Sequence, residues 1–298
     1  MRLGQSAAYR SALIDLERVG AQLAQRQREL ASGRRINTIS DDPFGSAAVV
    51  RARAEIGAID RYARASDSVD ARLSIADSVL TDVVSQISAA LTTVAGASNS
   101  GQSVEQREAA ATALESIRDG IFSSISSQVA GRYIFSGTAV TTAPYQKNPD
   151  GSVGVYQGNA ASAAIDIDRS TAVTVTFSAD EVLRGSDPAD LFTELDTLAA
   201  AIRAGDAAAM DTGRTALQRA FDRAVTAQSR VGVSLRAVDA GRLQLAAHRQ
   251  ASTQEASRRE DANLAETITE LTSAEAAYQA SLNALSRYSQ LSLLDYLG

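Results

Sequence analysis

Two adjacent carboxylates, Asp41 and Asp42, sit in the stretch LASGRRINTISDDPFGSAAV (Leu30–Val49) and are the first residues whose types suggest chemistry. Paired carboxylates can hold a divalent cation or share acid and base roles, provided they converge on one point. Neighbours on an extended backbone point to opposite sides, and no further carboxylate follows before Glu55. Neither a cation site nor a paired-acid catalyst is expected there. His248, in AAHRQAS, is the only histidine, and cysteine is absent. That excludes a thiolate nucleophile, a cysteine-based zinc site and any disulfide framework. A Ser-His-Asp triad is conceivable on counts alone, but no nucleophile elbow accompanies it. GRYIFSGT (residues 131–138) carries two glycines without the lysine and following helix of a phosphate loop. No catalytic residue, metal site or cofactor is therefore expected.

Composition points elsewhere. The chain has 298 residues, a formal net charge of −6, 45% apolar residues and only 5% aromatics, with no tryptophan. So little bulk and so much alanine, glutamine, serine and arginine suit long helices packed at small side chains. Mild acidity argues against a nucleic-acid partner. The opening MRLGQSAAYRSALIDLERVG reaches an acid by Asp15 and lacks an apolar core, so no secretory signal peptide is expected. The longest uncharged run, residues 83–104, is interrupted throughout by Ser, Thr, Gln, Asn and Gly, so membrane insertion is not expected either.

Which elements would position such residues? Leu13, Leu16, Gly20, Leu23, Gln27 and Leu30 alternate in steps of three and four, the seam pattern of a coiled coil, on a helix from about Leu3 to Ser32. A second helix is expected from Pro43 to about Val94, with Val69, Leu73, Ala76, Leu80, Val83, Ile87, Ala90 and Val94 in the same rhythm. GASNSGQS breaks it, and a third helix from Val104 to about Gln128 returns antiparallel. Residues 133–180 alternate with period two and contain turn signals, among them an Asp-Gly, so they read as a β-rich insertion. Pro188 is expected in the first turn of the next helix and Gly205 at its end. A helix from Ala207 to about Arg230 leads to VGVS. Unbroken helix then runs to Tyr296, with Leu264, Ile268, Leu271, Glu275, Tyr278, Leu282 and Leu285 in seam spacing and Leu294 beyond.

The expected fold is mainly α with a small β insertion, an elongated antiparallel bundle of long helices from the N- and C-terminal halves. Residues 1–40 and 255–298 would form terminal coiled-coil helices, 41–132 and 186–254 a helical rod, and 133–185 the insertion. In this frame the opening stretch is a corner. Gly33 can end one helix in left-handed geometry, Asp42 can cap the next, and Pro43 suits its first position. The mixed charges of SRREDANLAE (Ser257–Glu266) read as a solvated helix face or an inter-helix contact. Arg10, Arg18 and Arg26, eight residues apart, read as a solvated face or a filament contact.

ASGRRINTISDDPFG resembles the N-terminal signature of bacterial flagellins and flagellar hook-associated proteins, matched here by Gly33, Arg35, Ile36, Asn37, Asp41 and Asp42. AQSRVGVSLRAVDAGRLQL and REDANLAETITELTSAEAAYQASL are similar to C-terminal segments of the same family. Together the resemblance covers about the first 130 and last 90 residues. Asp41-Asp42-Pro43, GRYIFSGT and the ending SLLDYLG resemble the junction members adjoining the filament more than filament flagellins; Thr38, Ile39 and Phe44 depart from the usual small residues.

The resemblance implies terminal helices lining the inner tube of an axial assembly and ordering on assembly, with the insertion projecting outward. It implies export through the flagellar secretion channel without a cleaved signal, and an extracellular place in the flagellum. The implied partners are the first hook-associated junction protein, flagellin, other copies of the chain in a ring, and a flagellar export chaperone. Leu13, Leu16, Leu23, Leu30, Leu264, Ile268, Leu271, Tyr278, Leu282, Leu285 and Leu294 would form the assembly seam. The corner of Gly33, Arg35, Ile36, Asn37, Asp41, Asp42 and Pro43 would supply candidates for intersubunit contacts. The expected role is a structural junction subunit; the alternatives are a filament flagellin, or a helical scaffold or enzyme outside the flagellum.

Overall fold

A computed structural model describes the backbone of residues 2–99 and 101–297 and the side chains of residues 9–99 and 101–287. The chain is mainly helical. In order, α1 spans Arg2–Ser32, α2 Pro43–Ala97, α3 Val104–Ile125, β1 Gln128–Val129, β2 Arg132–Tyr133, β3 Ala164–Asp166 and β4 Ala172–Thr174. They are followed by α4 (Ala179–Leu183), α5 (Leu191–Ala204), α6 (Ala207–Glu260) and α7 (Leu264–Leu297). The chain divides into two compact units, one of Met1–Ala58 with Ala247–Gly298, the other of Ile59–Ala246.

The larger unit is organised by the α2 stripe. All eight residues from Val69 to Val94 in the seam rhythm are fully buried. They share one core with Leu114, Ile121 and Ile125 of α3, Phe192, Leu195 and Ile202 of α5, and Leu217, Ala224, Val231 and Val238 of α6. Full burial of each Leu, Ile or Val is worth roughly 1.5–3 kcal/mol, so the stripe dominates any local preference along α2. The same helix holds a stretch long and apolar enough by composition to cross a membrane; its stripe is buried in this core. After the turn, the Ser103 hydroxyl accepts from the Gln106 amide at 3.2 Å and the Gln106 side chain accepts from Ser103 N–H at 2.9 Å, a capping box opening α3.

Helix boundaries depart from expectation in three places, each for a physical reason. Pro188 precedes α5 rather than entering its first turn; Asp190 caps the helix by accepting from Thr193 N–H at 2.9 Å. Gly205 does end α5, in left-handed geometry at φ +71°. VGVS is no break, for α6 continues through it with Val231 and Val238 buried. That burial outweighs the roughly 1 kcal/mol a helical glycine costs. The interruption lies instead at residues 261–263, inside the charged run.

Regular strand is sparse in the insertion. GRYIFSGT contributes only Arg132–Tyr133 to a strand, and the adjacent Ile134 and Phe135 are both buried, so alternation stops there. Between 161 and 177 the alternation does form a hairpin, with Ile165 opposite Val173. The Asp-Gly turn is also present: Gly151 has φ +86°, and Asn148 N–H donates to the Ser152 carbonyl at 2.9 Å. Aromatic packing replaces strand pairing as the cement, with Tyr145 4.9 Å from Phe192 and 5.5 Å from Tyr156. Lys147, the one lysine in the chain, ties this segment to α3. Its ammonium lies 2.8 Å from Asp119 and 5.5 Å from the centre of the Phe122 ring.

The β1–β2 turn carries strain. Ala130 and Gly131 both have positive φ, +49° and +74°, which alanine tolerates poorly. Ala130→Gly is expected to raise the stability of the larger unit by about 0.5–1 kcal/mol, since relief of the left-handed strain exceeds the added chain entropy. Chemical denaturation of the two proteins measures it.

Candidate assembly interface

The smaller unit is built on the pairing of α1 with α7. Along α7, Thr267, Leu271, Ala274, Tyr278, Ser281 and Leu285 are buried or half-buried in steps of four and three. The matching residues on α1 are Leu13, Leu16, Val19, Leu23, Arg26 and Glu29. Gly20 faces Tyr278 across the pair, where a Cβ would lie 3.4 Å from the ring, at ordinary van der Waals distance.

The expected seam residues therefore separate into two groups. Leu13, Leu16, Leu23, Leu271, Tyr278 and Leu285 lie half-buried, whereas Leu30 is exposed, as are Leu264 (50%), Ile268 (48%) and Leu282 (42%). The side chain of Leu294 lies outside the described residues. Near its C-terminal end the α1 stripe turns from the expected Gln27 and Leu30 to Arg26 and Glu29. The buried Glu29 accepts from Gln25 at 2.9 Å and Arg26 at 2.7 Å, and Arg26 also reaches Glu270 of α7 at 2.9 Å. Two helices bury only one stripe of α7, so the stripe through Leu264, Ile268 and Leu282 remains uncovered.

At the end of this pair the chain turns twice. Gly33 leaves α1 at φ +68°, and its carbonyl accepts from Ala262 N–H at 3.0 Å. Arg35 N–H donates to the Glu260 carbonyl at 2.7 Å, and the Arg35 guanidinium donates to the Arg259 carbonyl at 2.9 Å and to Asp42 at 3.2 Å. Asn37 donates from its side chain to the Arg34 carbonyl at 2.8 Å. Asp41 accepts from the amides of Asn37 (2.9 Å) and Thr38 (2.7 Å), while Asp42 caps α2 by accepting from Gly45 N–H at 2.8 Å. Ile36 is buried beneath this loop and Pro43 opens α2. The corner's charged groups are thus engaged within the chain. Left outward are Ile39 (75% exposed) and Phe44 (90%).

Backbone donors hold both carboxyls below the ordinary aspartate value of 3.8, Thr38 and Asn37 acting on Asp41 and Gly45 followed by Arg35 on Asp42. A carboxyl whose folded pKa is depressed stabilises the fold above its unfolded pKa and loses that contribution as pH falls through the folded value. The corner is expected to stay closed at neutral pH and loosen only below about pH 4. The Gly45 and Thr38 amide resonances, followed by NMR on acidification, report it.

Facing the corner, the break between α6 and α7 is fastened by Glu260. Its buried carboxylate receives Arg53 at 2.7 Å and Arg34 at 3.0 Å. Ser257 and Asp261 hydrogen-bond through their side chains, and the Asn263 carbonyl accepts from Thr267 N–H at 2.9 Å, the first bond of α7. Sequence reading missed this joint. A signal was present, since Asn263 with Glu266 three residues on has the spacing of a helix start. Arg53 and Glu260, 207 residues apart, offered none. Glu260→Gln is expected to destabilise the smaller unit by about 1 kcal/mol, the half-exposed arginines limiting the loss; thermal melting measures it.

His248 is exposed on α6, and among the described residues no group of three or more His, Cys, Asp or Glu converges on a point that could hold a metal. The geometry is that of a packing surface.

Residues 5–140 match the bacterial flagellin N-terminal helical region. The more particular similarity is to flagellar hook-associated protein 3. The Salmonella typhimurium protein of that name is 27% identical over 259 residues, covering 79% of this chain and 80% of its own. Among solved structures, a flagellar hook-associated protein from Vibrio parahaemolyticus shares the fold with a TM-score of 0.68 at 22% identity, covering 74% of this chain and all of its own. The flagellar junction protein FlgL from Legionella pneumophila shares it with a TM-score of 0.61 at 13% identity, over 72% of this chain and 100% of that one.

Proposed function

We propose that this chain is a structural subunit of the bacterial flagellum that joins the hook-associated adaptor to the flagellin filament by helix–helix packing, without catalysis. The observation that carries the reading is the half-covered seam: Leu264, Ile268 and Leu282 lie exposed beside a formed α1·α7 pair. Similarity to hook-associated protein 3 supports the junction role. Leu30 and Leu294 would add to the assembly contacts, while Leu13, Leu16, Leu23, Leu271, Tyr278 and Leu285 close the pair itself.

In this reading residues 1–40 and 255–298 line the inner tube, 41–132 and 186–254 form the rod, and 133–185 project outward. The partners are the first hook-associated junction protein on one side, flagellin on the other, and copies of the chain in a ring. An export chaperone would cover the terminal helices before passage through the flagellar secretion channel, with no cleaved signal peptide. Neither nucleic acid nor membrane insertion enters the role.

A strain lacking the gene should build hooks but shed flagellin into the medium; attached full-length filaments in that strain would overturn the reading. The flagellin match over residues 5–140 favours a second reading, a filament subunit. Abundance separates them, because a filament subunit dominates sheared flagella and a junction subunit is present in trace.

A further inference from the structure

The larger unit carries a cleft of about 360 Å³ between α2 and the β1–β2 hairpin. Val129, Tyr133, Ile134, Val140 and Val175 give it apolar walls, and no acid lines it. Arg72 of α2 and Arg132 of β2 both line it. Ser68 lines it one turn before Arg72, and Arg64 lies one turn before Ser68, so steps of four place all three on one side of α2. Arg72 is half-buried, whereas Arg64 and Arg132 are exposed. None of the three guanidiniums meets a carboxylate among the described residues.

Many other arginines of this unit are paired. Arg118, Arg203, Arg219, Arg223, Arg230 and Arg242 each reach an Asp or Glu. The acids close to the cleft along α2 do not neutralise it. Asp67 and Asp70 reach Arg242 of α6 instead, at 2.6 and 3.1 Å, and Asp60, one turn before Arg64, forms no ion pair with it. Around the hairpin, the sequence has no acid between Asp119 and Asp150. Three uncompensated guanidiniums beside an apolar cleft, in a chain of net charge −6, complement a ligand that is both acidic and apolar.

We propose that this cleft binds an extended acidic peptide of a partner protein, with an aliphatic residue midway between two acids. The spacing sets the pattern. Arg64 and Arg72, eight residues apart, are separated by roughly 12 Å along the helix at 1.5 Å per residue. In an extended chain, residues four apart span roughly 13 Å, and the residue midway between them points to the same side. Acids at the first and fifth positions therefore meet Arg64 and Arg72, with Arg132 adding to the second of them. The third side chain enters the apolar cleft at the level of Ser68. A nucleic acid, charged at every unit, would bring a phosphate against the apolar walls, which is unfavourable. The site belongs to the larger unit, whereas α7 belongs to the smaller one, and it does not rest on the junction role.

The probe is a fluorescein-labelled Asp-Thr-Leu-Thr-Asp peptide flanked by glycines, titrated with the full-length chain at low salt and followed by anisotropy. Saturable binding is expected. It should weaken roughly tenfold when both aspartates of the probe become asparagine, and again roughly tenfold when its leucine becomes serine. Arg72→Glu in the chain should abolish binding, while Arg236→Glu, at an exposed position outside the cleft, should leave it unchanged. Arg132→Glu, also exposed, replaces Arg72→Glu if circular dichroism shows that variant unfolded. No saturable binding, or equal binding of the aspartate and asparagine probes, overturns the proposal. An oligothymidylate strand that binds as tightly and is lost in the same variant also overturns it, since the site would then be one for phosphate polymers.

Discussion

A Leu282→Glu chain is expected to fold as the parent does yet fail to enter the assembled flagellum. Leu282 lies on the outward stripe of α7 and is 42% exposed, so a carboxylate there meets water in the isolated subunit. In an assembly that covers the stripe, the same carboxylate is buried without a partner, which is strongly unfavourable. Incorporation should fall by at least about tenfold, judged from the variant's share in sheared flagella against unchanged thermal melting of the purified protein. Leu271→Glu is the contrast. Leu271 is half-buried on the stripe facing α1, so the charge should loosen the α1·α7 pair before assembly begins, by about 1–2 kcal/mol. Equal incorporation of Leu282→Glu and parent would mean that the outward stripe stays wet in the assembly.

Gly45→Ala is expected to be the most disruptive single methyl in the smaller unit. A Cβ on Gly45 would fall 2.6 Å from Ile36 Cδ1 and closer still to an Asp42 carboxylate oxygen. Yielding would cost each neighbour its present contacts. Ile36 is buried under the corner, and Asp42 is held by Gly45 N–H on one side and Arg35 on the other. Overpacking of this kind costs about 1–3 kcal/mol, and here it also dislodges the cap of α2. Limited proteolysis should show new cleavage between Arg34 and Pro43 while the larger unit keeps its parental melting. An unchanged digestion pattern would count against a tightly packed corner.

Much of this architecture was readable because its causes are local. Gly33 needs left-handed backbone, and Asp42 followed by Pro43 specifies a helix start within three residues. The α2 stripe was equally plain, since a single heptad repeat is buried along its whole length. The terminal seams were legible only in part. Either of two adjacent stripes on α7 satisfies the pattern, and the choice of Thr267, Ala274 and Ser281 over Ile268, Glu275 and Leu282 follows from where α1 lies, not from hydrophobicity. VGVS misled for the opposite reason, its glycine overruled by the burial of Val231 and Val238. The joint at 261–263 was obscured by charge, because a carboxylate destined for Arg53 looks the same in sequence as one destined for water.

The attachment of Lys147 to Asp119 and Phe122 gives the insertion a built-in reporter. With one lysine in 298 residues, a lysine-specific endoprotease can cut this polypeptide at a single peptide bond, Lys147–Asn148. The nitrogen of that bond is itself the donor to the Ser152 carbonyl that closes the turn, and Lys147 bridges Val153 across it. Cleavage therefore requires the turn to open, and the fragment ratio over time reads the opening frequency of one hairpin with no label and no background from the long helices. The same single cut, compared between free subunits and sheared flagella, distinguishes a protected insertion from an exposed one.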